Sequence, residues 1–485
     1  MLARLPPAGG LKNNDIGVSI ELGGLMATQS SVSGTAGSDP SYPSSFAAWY
    51  SVAVLMLMYI FSFIDRTTIS LIVEPMKRDL HISDTQIGML QGLAFALLYT
   101  FLGLPIARLS DRYSRRRIIA AGVFIWSIMA TLCGLARTAL QLFIARIGVG
   151  VGEAALSPAA YSIITDSFPR SKLGRAFGLY NIGITIGAGI AFLVGGIVVA
   201  AVSHAGASYT LPLLGEVRAW QMVFIVTGAP GILLPLLLLT FREPARRGLL
   251  RTQAAAEAPP GAPLKPPLRE VLDYVWANRE FYGRHFVALA LLSMCGYCVA
   301  AWLPTAIIRA YGVSYGQVGK VLGVSTAVMN STGMLLAGIL CDRLTRRGSK
   351  DAPILVAAIS GCGIAVFASL PTLMPTVMMV WVAIFVSGLT FNAYNGVGPM
   401  AVNQVTPNQY RAQVSAVYLF VVNALGLGVG PTLVPLLNDY LFHDPLKIRY
   451  SLIIVVFCSA LAAIALLLSV RPMYRQKVIE AEQWQ

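Results

Sequence analysis

Four ionisable side chains sit inside stretches otherwise too apolar to welcome them: Asp65 and Arg66 in "YIFSFIDRTTIS", and Arg146 and Glu153 in "LFIARIGVGVGEAALSP". Arginine keeps its charge at any physiological pH, whereas a carboxylate out of water can shed its charge by taking a proton. A carboxylate beside an arginine can therefore exchange a proton and, once neutral, release the arginine to another anion. Arg146 and Glu153 are seven residues apart, which returns them to nearly one helix face about 10 Å apart along the axis. Gly148 and Gly152 fall on the opposite face, where a neighbouring helix can approach closely. The run G-V-G-V-G is no nucleotide loop, because its spacing is wrong and no strand precedes it. Asp65 and Glu153 are assigned to proton coupling, Arg66 and Arg146 to anion binding. The plainer alternative is that each carboxylate merely neutralises an arginine for membrane insertion.

The elements that hold these groups must be membrane helices. The 485 residues are 56% hydrophobic and only 12% charged, with a mean hydropathy of +0.68, against about 25% charged in soluble domains. A spanning helix needs about 20 apolar residues, and that ruler yields twelve candidates, from 46–72 to 449–470. The expected organisation is a disordered tail over 1–45, a six-helix half over 46–241, a cytoplasmic central loop over 242–284, a second six-helix half over 285–470 and a cytoplasmic tail over 471–485. The net charge is +14, but about three quarters of the Lys and Arg fall in the tails and the loops after even-numbered spans, which places both termini in the cytoplasm. The basic balance is thus topology, and nucleic acid is not an expected partner. All six cysteines lie within or at the ends of predicted spans, and Cys295 and Cys298 have neither a second pair nor histidines to complete a metal site. No metal and no cofactor is expected.

A repeat organises the charge outside the spans. "ARLSDRYSRRRI" from Ala107 and "GILCDRLTRRGSK" from Gly338 share small-x-Leu-x-Asp-Arg-x-x-Arg-Arg, with Asp111 and Asp342 231 residues apart. Each copy follows the second span of its half, so the chain is a parallel repeat of two six-helix halves. The motif resembles the loop signature G-x-L-a-D-R-x-G-R-K/R of the major facilitator superfamily, with Ala107, Ser114 and Thr345 replacing glycines and Gly338 keeping one. The resemblance implies an all-α membrane protein, two six-helix halves related by a pseudo-two-fold axis, working by alternating access. It also implies a cytoplasmic gate from Asp111, Arg112, Arg115 and Arg116 with their counterparts Asp342, Arg343, Arg346 and Arg347.

Three stretches carry a finer resemblance: "FIDRTTIS", "RIGVGVGEAALSPAAYSIITDSFPRSKLGRA" and "TPNQYRAQVSAVYLFVVNALGLGVGPTL". Together they look like the Spinster family, whose animal members carry sphingosine-1-phosphate or lysophospholipids. The family's Asp-Arg falls on Asp65 and Arg66, its fourth-span arginine on Arg146, its G-E-A on Gly152, Glu153 and Ala154, and its loop motif on Asp166, Phe168 and Arg175; Asp166 and Arg175 join the gate. Asn423 and "ALGLGVGP" stand where animal members have a histidine and "LGD", and span 5 lacks the proline of the antiporter motif. The second half offers polar and aromatic substrate contacts, Asn392, Asn395, Asn423, Tyr418 and Trp302, with Phe391 and Tyr394 nearby. The expectation is a monomeric, proton-coupled carrier in a bacterial inner membrane, moving an amphiphilic anionic or zwitterionic lipid such as a lysophospholipid or sphingosine-1-phosphate-like molecule, with membrane lipids and protons as its other partners. A multidrug or organic-anion carrier of the same fold is the alternative. A lipid-processing enzyme has no nucleophile–base pair or metal cluster to support it.

Overall fold

A segment crossing a bilayer must satisfy its own backbone amides, which a helix does. The computed structural model describes residues 42–204, 208–211, 215–245 and 268–482. It contains twelve helices long and apolar enough to span: spans 1 to 6 are Ser45–Leu71, Asp84–Gly103, Arg115–Cys133, Ala139–Ser167, Arg175–Ala200 and Ala219–Leu238. Spans 7 to 12 are Arg279–Tyr311, Tyr315–Arg346, Ala352–Leu373, Val377–Gln404, Gln413–Phe442 and Pro445–Glu482. Ser44 starts span 1 by accepting the Ala47 amide at 3.3 Å. Residues 1–41 of the expected tail lie outside the described residues.

Helices extend into both stretches expected to be loop or tail. Within the stretch expected as a loop, 242–284, a helix covers Leu268–Ala277 and span 7 already starts at Arg279; the rest, 246–267, lies outside the described residues. The expected tail 471–485 instead continues the helix of span 12 to Glu482, through Pro472. Charged residues end a hydropathy window, but they do not end a helix that emerges from the membrane. Between spans 5 and 6 the chain also forms a two-stranded antiparallel hairpin, Ser208–Leu211 with Gly215–Arg218. Its side of the molecule is called the hairpin side below, and the opposite side, where span 1 begins and the helix of span 12 ends at Glu482, the terminal side.

Spans 4 and 10 occupy corresponding places in the two halves, and both are broken at midspan. Span 4 stops at Glu153 and resumes at Leu156, because Pro158 cannot donate to the Ala154 carbonyl four residues back. Span 10 stops at Phe391 and resumes at Ala393. Four π-helical stretches, Ser325–Asn330, Ile364–Ala368, Asn423–Val429 and Asn438–Phe442, all belong to the second half among the described residues.

The halves meet tightly toward the hairpin side. Lipid is as apolar as leucine, so close backbone packing rather than hydrophobicity must hold membrane helices together. A Cβ on Gly319 of span 8 would lie 2.4 Å from the Phe192 carbonyl and 2.8 Å from Gly196 Cα in span 5. A Cβ on Gly88 of span 2 would lie 2.5 Å from the Pro431 carbonyl in span 11. Neither seam admits a side chain without parting the halves. Replacing Gly319 by Ile should cost about 1–3 kcal/mol, the usual range for overpacking, and lower the melting temperature of the purified protein; a melt equal to wild type would show that this seam is not closed in the stable state.

Candidate intramembrane transport site

The four intramembrane charges converge, but in a different pairing from the one their spacing suggests. Glu153 lies on span 4 just before its break, and its Oε2 accepts Ser62 Oγ at 2.6 Å and Arg66 Nε at 2.6 Å, both from span 1. Arg66 Nη2 also contacts the same oxygen. Glu153 thus pairs with Arg66 rather than with Arg146 on its own helix face. Arg146 Nη1 instead donates to the Asp65 carbonyl oxygen at 3.3 Å, and no ion pair joins Arg146 to either carboxylate among the described residues. Gly148 and Gly152 turn the other way, onto Met129 and Trp126 of span 3, as their spacing predicts.

Aromatic rings enclose the arginine. The Arg66 guanidinium lies 4.4 Å from the Phe95 ring centroid, 4.8 Å from Tyr99 and 5.2 Å from Phe63, distances at which the negative ring faces attract a cation. Its side chain keeps 13% exposure while that of Glu153 has none. Asp65 Oδ1, Arg146 Nε and Glu153 Oε1 are buried with no hydrogen-bond partner among the described residues. Leaving such a group unpaired costs about 1–3 kcal/mol, more when it is charged. Three such atoms on three neighbouring charged side chains leave hydrogen-bonding capacity unspent at this depth.

The second-half candidates separate. Trp302 is fully buried, and its indole donates to the Pro431 carbonyl at 2.7 Å, so it is spent on holding span 7 against span 11. Tyr418 is buried with its ring centroid 5.6 Å from that of Phe286. Asn392 and Asn395 meet at the break of span 10, where Asn395 Nδ2 donates to Asn392 Oδ1 at 2.9 Å. Asn423 is half-buried at the start of a π-helical stretch.

The strongest tie between the halves was not apparent in the sequence. Arg309, at the hairpin end of span 7, donates to Glu74 at 2.6 Å and takes both oxygens of Asp84 at 2.7 and 2.9 Å. Lys77 joins Asp84 at 2.9 Å. Close by, Asp439 Oδ2 of span 11 accepts the Thr85 amide and hydroxyl at 2.9 and 2.7 Å. All ion pairs between the halves among the described residues lie here, so the structure is locked shut on the hairpin side. In sequence these residues look like ordinary charges at span ends; only the pairing of 74 and 84 with 309 marks them.

On the terminal side the ion pairs stay within each half, and only the first half makes them with a motif arginine. Arg115, fully buried, gives Nε and its backbone N–H to Glu243 Oε1 at 2.9 and 3.0 Å, Nη1 to Ser162 and Asp166, and Nη2 to the Pro244 carbonyl at 2.8 Å. Arg116 donates to the Phe241 carbonyl at 2.5 Å. The second half reverses the charges: Asp351, at the start of span 9, accepts from Arg471 at 2.6 Å and Arg475 at 3.1 Å on span 12. Asp342, Arg343, Arg346 and Arg347, expected in the gate, are exposed and form no ion pair among the described residues, and Arg175 is exposed. Asp111 and Arg112 have side chains outside the described ones. Glu243, Asp351, Arg471 and Arg475 were not singled out from sequence, because each falls outside the repeated pattern, Asp351 only just beyond it.

Comparison with known proteins places this geometry in context. The Major Facilitator Superfamily profile matches residues 55–431. An MFS-type efflux pump of Mycolicibacterium smegmatis is 27% identical over 82% of this chain and 86% of its own length. Protein spinster of Drosophila melanogaster is 26% identical over 81% of this chain and 62% of its own length. A crystal structure of a bacterial homologue of the human lysosomal transporter Spinster, inward-facing and unoccupied, superposes with a TM-score of 0.69 at 26% identity, covering 90% of this chain and 99% of that one.

Two measurements check the ionic ties. Replacing Arg309 by Gln leaves Asp84 buried with Lys77 alone and should cost about 3 kcal/mol, whereas Glu74→Gln, at a half-exposed group, should cost under about 1 kcal/mol; equal thermal shifts would contradict this ranking. Burial pushes the Glu243 carboxyl up, but hydrogen bonds from Ser114 and Arg115 outweigh it and hold the group below its ordinary 4.5. Its charged form is therefore favoured by folding, so its contribution is complete above the ordinary value and lost as pH falls through the lowered one. The melting difference between wild type and Glu243→Gln should be present at pH 7 and close as the pH drops below 4.5.

Proposed function

Because the chain belongs to the Major Facilitator Superfamily and is a transporter rather than an enzyme, we propose that it carries an amphiphilic anionic or zwitterionic lipid, such as a lysophospholipid or a sphingosine-1-phosphate-like molecule, in exchange for or together with protons. The observation that carries this reading is Arg66, clasped by Glu153, caged by three aromatic rings and still partly exposed. An arginine so placed suits a phosphate headgroup, since the guanidinium fork matches it, and the apolar surroundings suit the tail. Protonating Glu153 would neutralise the anion that occupies Arg66 and free the guanidinium for the headgroup. Arg146 and Asp65 complete the charge balance around it. Asn392, Asn395 and Asn423 would meet the substrate from the second half, and Tyr418 and Trp302 serve as packing around that wall.

The membrane is a bacterial inner membrane, with both termini in the cytoplasm, as the uneven distribution of Lys and Arg supports. In that orientation the lock at Arg309 seals the periplasmic side, and the substrate reaches Arg66 from the cytoplasm. The clasps at Arg115 and Asp351 stiffen each half, and the exposed motif charges Asp342, Arg343, Arg346 and Arg347, with Asp111, Arg112 and Arg175, would form the cytoplasmic closure once the periplasmic lock opens. The efflux-pump relative favours a second reading, a drug or organic-anion exporter built on the same site.

Flux of labelled lysophospholipid and sphingosine-1-phosphate into proteoliposomes, with and without a pH gradient, tests the proposal. Wild type should move a lipid faster under the gradient, Glu153→Gln should move it at a rate blind to the gradient, and Arg66→Lys should lose about tenfold by losing the fork. Gradient-driven flux that persists in Glu153→Gln would remove Glu153 from the coupling step. Failure of both lipids to move, with an organic anion or drug moving instead, would overturn the lipid reading.

A further inference from the structure

The helix Leu268–Ala277, on the terminal side before span 7, shows Leu268, Leu272 and Trp276 at four-residue intervals along one exposed face, with Trp276 71% exposed. Its other face is seated on the protein: Val271 is fully buried, and Tyr274 and Val275 pack against the core. A stripe of this kind, ending in a tryptophan at the mouth of a membrane span, is the pattern of a helix lying in the headgroup layer.

Leu272 and Trp276 of the stripe also form one wall of a groove of about 460 Å³ between this helix, the start of span 7 and span 11, within the roughly 300–1,000 Å³ typical of ligand sites. Its walls are apolar, with Val275, Phe286, Val287, Val417 and Val421, and Gly283 leaves it open: a Cβ there would meet nothing within 4 Å. Two opposite charges, Asp273 and Arg279, also line it. They form no ion pair with each other or with any other described residue, and Arg279 lies instead 5.6 Å from the Trp276 ring centroid.

We propose that this groove binds a zwitterionic phospholipid of the adjoining leaflet, with one acyl chain along the valines, its phosphate on Arg279 and its ammonium on Asp273. The apolar trough fits a chain, and a separated cation and anion at its rim fit a headgroup carrying both signs. An anionic headgroup would satisfy Arg279 but set a second negative charge against Asp273. The site is a resident-lipid site, independent of which molecule the transporter carries, and it ties the helix Leu268–Ala277 to the start of span 11.

Native mass spectrometry of the full chain, offered equal phosphatidylethanolamine and phosphatidylglycerol, tests this. Wild type should retain phosphatidylethanolamine about tenfold over phosphatidylglycerol, the size of one charge-assisted contact. Gly283→Phe should fill the groove and abolish the preferred adduct, whereas Gly338→Phe, at an equally open glycine on span 8, should leave it unchanged. Asp273→Lys, a surface change that leaves the groove open, should turn the preference toward phosphatidylglycerol. Retention of the adduct by Gly283→Phe, or an unchanged headgroup preference in Asp273→Lys, would overturn the proposal whatever the transport assays show.

Discussion

One carboxylate oxygen anchors the first half of this protein. Inside a bilayer a lone charge is costly, and breaking a buried pair leaves that cost uncompensated. Glu153 Oε2 gathers Ser62 and two nitrogens of Arg66, which obliges span 1 and span 4 to lie side by side at that depth. The rest of the local structure accommodates this. Span 4 breaks directly after the glutamate, and the rings of Phe63, Phe95 and Tyr99 surround the guanidinium where water would otherwise be needed. The sister oxygen of the same carboxylate has no partner among the described residues, so the arrangement is stable without being saturated.

The ionic contacts elsewhere divide into two kinds. The pairs of Arg309 with Glu74 and Asp84 on the hairpin side cross between the halves; those on the terminal side, centred on Arg115 and Asp351, stay within a half. Contacts within a half survive any rocking of one half against the other, whereas contacts between halves must break and reform. The two clasps carry opposite charge arrangements, arginine on span 3 with glutamate after span 6, and aspartate before span 9 with arginines on span 12. What the two halves share is thus a mechanical arrangement, a tie from the third helix to the sixth, rather than the residues that make it.

The sequence made the spans legible because apolar length is a direct requirement of the bilayer, and it made the four intramembrane charges legible because they violate that requirement. It did not disclose their partners. A seven-residue spacing put Arg146 and Glu153 on one face, but a carboxylate chooses the donor whose geometry reaches it, and Arg66 with Ser62 reached it from another helix. Trp302 looked like a substrate contact because tryptophan is large and amphipathic; its indole was taken by a backbone carbonyl instead. Arg309 and Asp84 were hidden for the opposite reason, since a charge at the end of a span looks like ordinary solvation until its partner 225 residues away is known. The helix Leu268–Ala277 was lost in a polar stretch whose amphipathic period was too short to outweigh its neighbours.

The uneven placement of the π-helical stretches has a consequence for how strain is distributed. A π turn holds one residue more than an α turn, so converting it turns everything beyond by about 100° and slides it by about 1.5 Å, at the loss of little hydrogen bonding. All four such stretches lie in the half that carries no intramembrane ion pair among the described residues. The means of re-indexing a helix face is therefore concentrated in spans 8, 9 and 11, opposite the half whose spans 1 and 4 are tied by a buried ion pair.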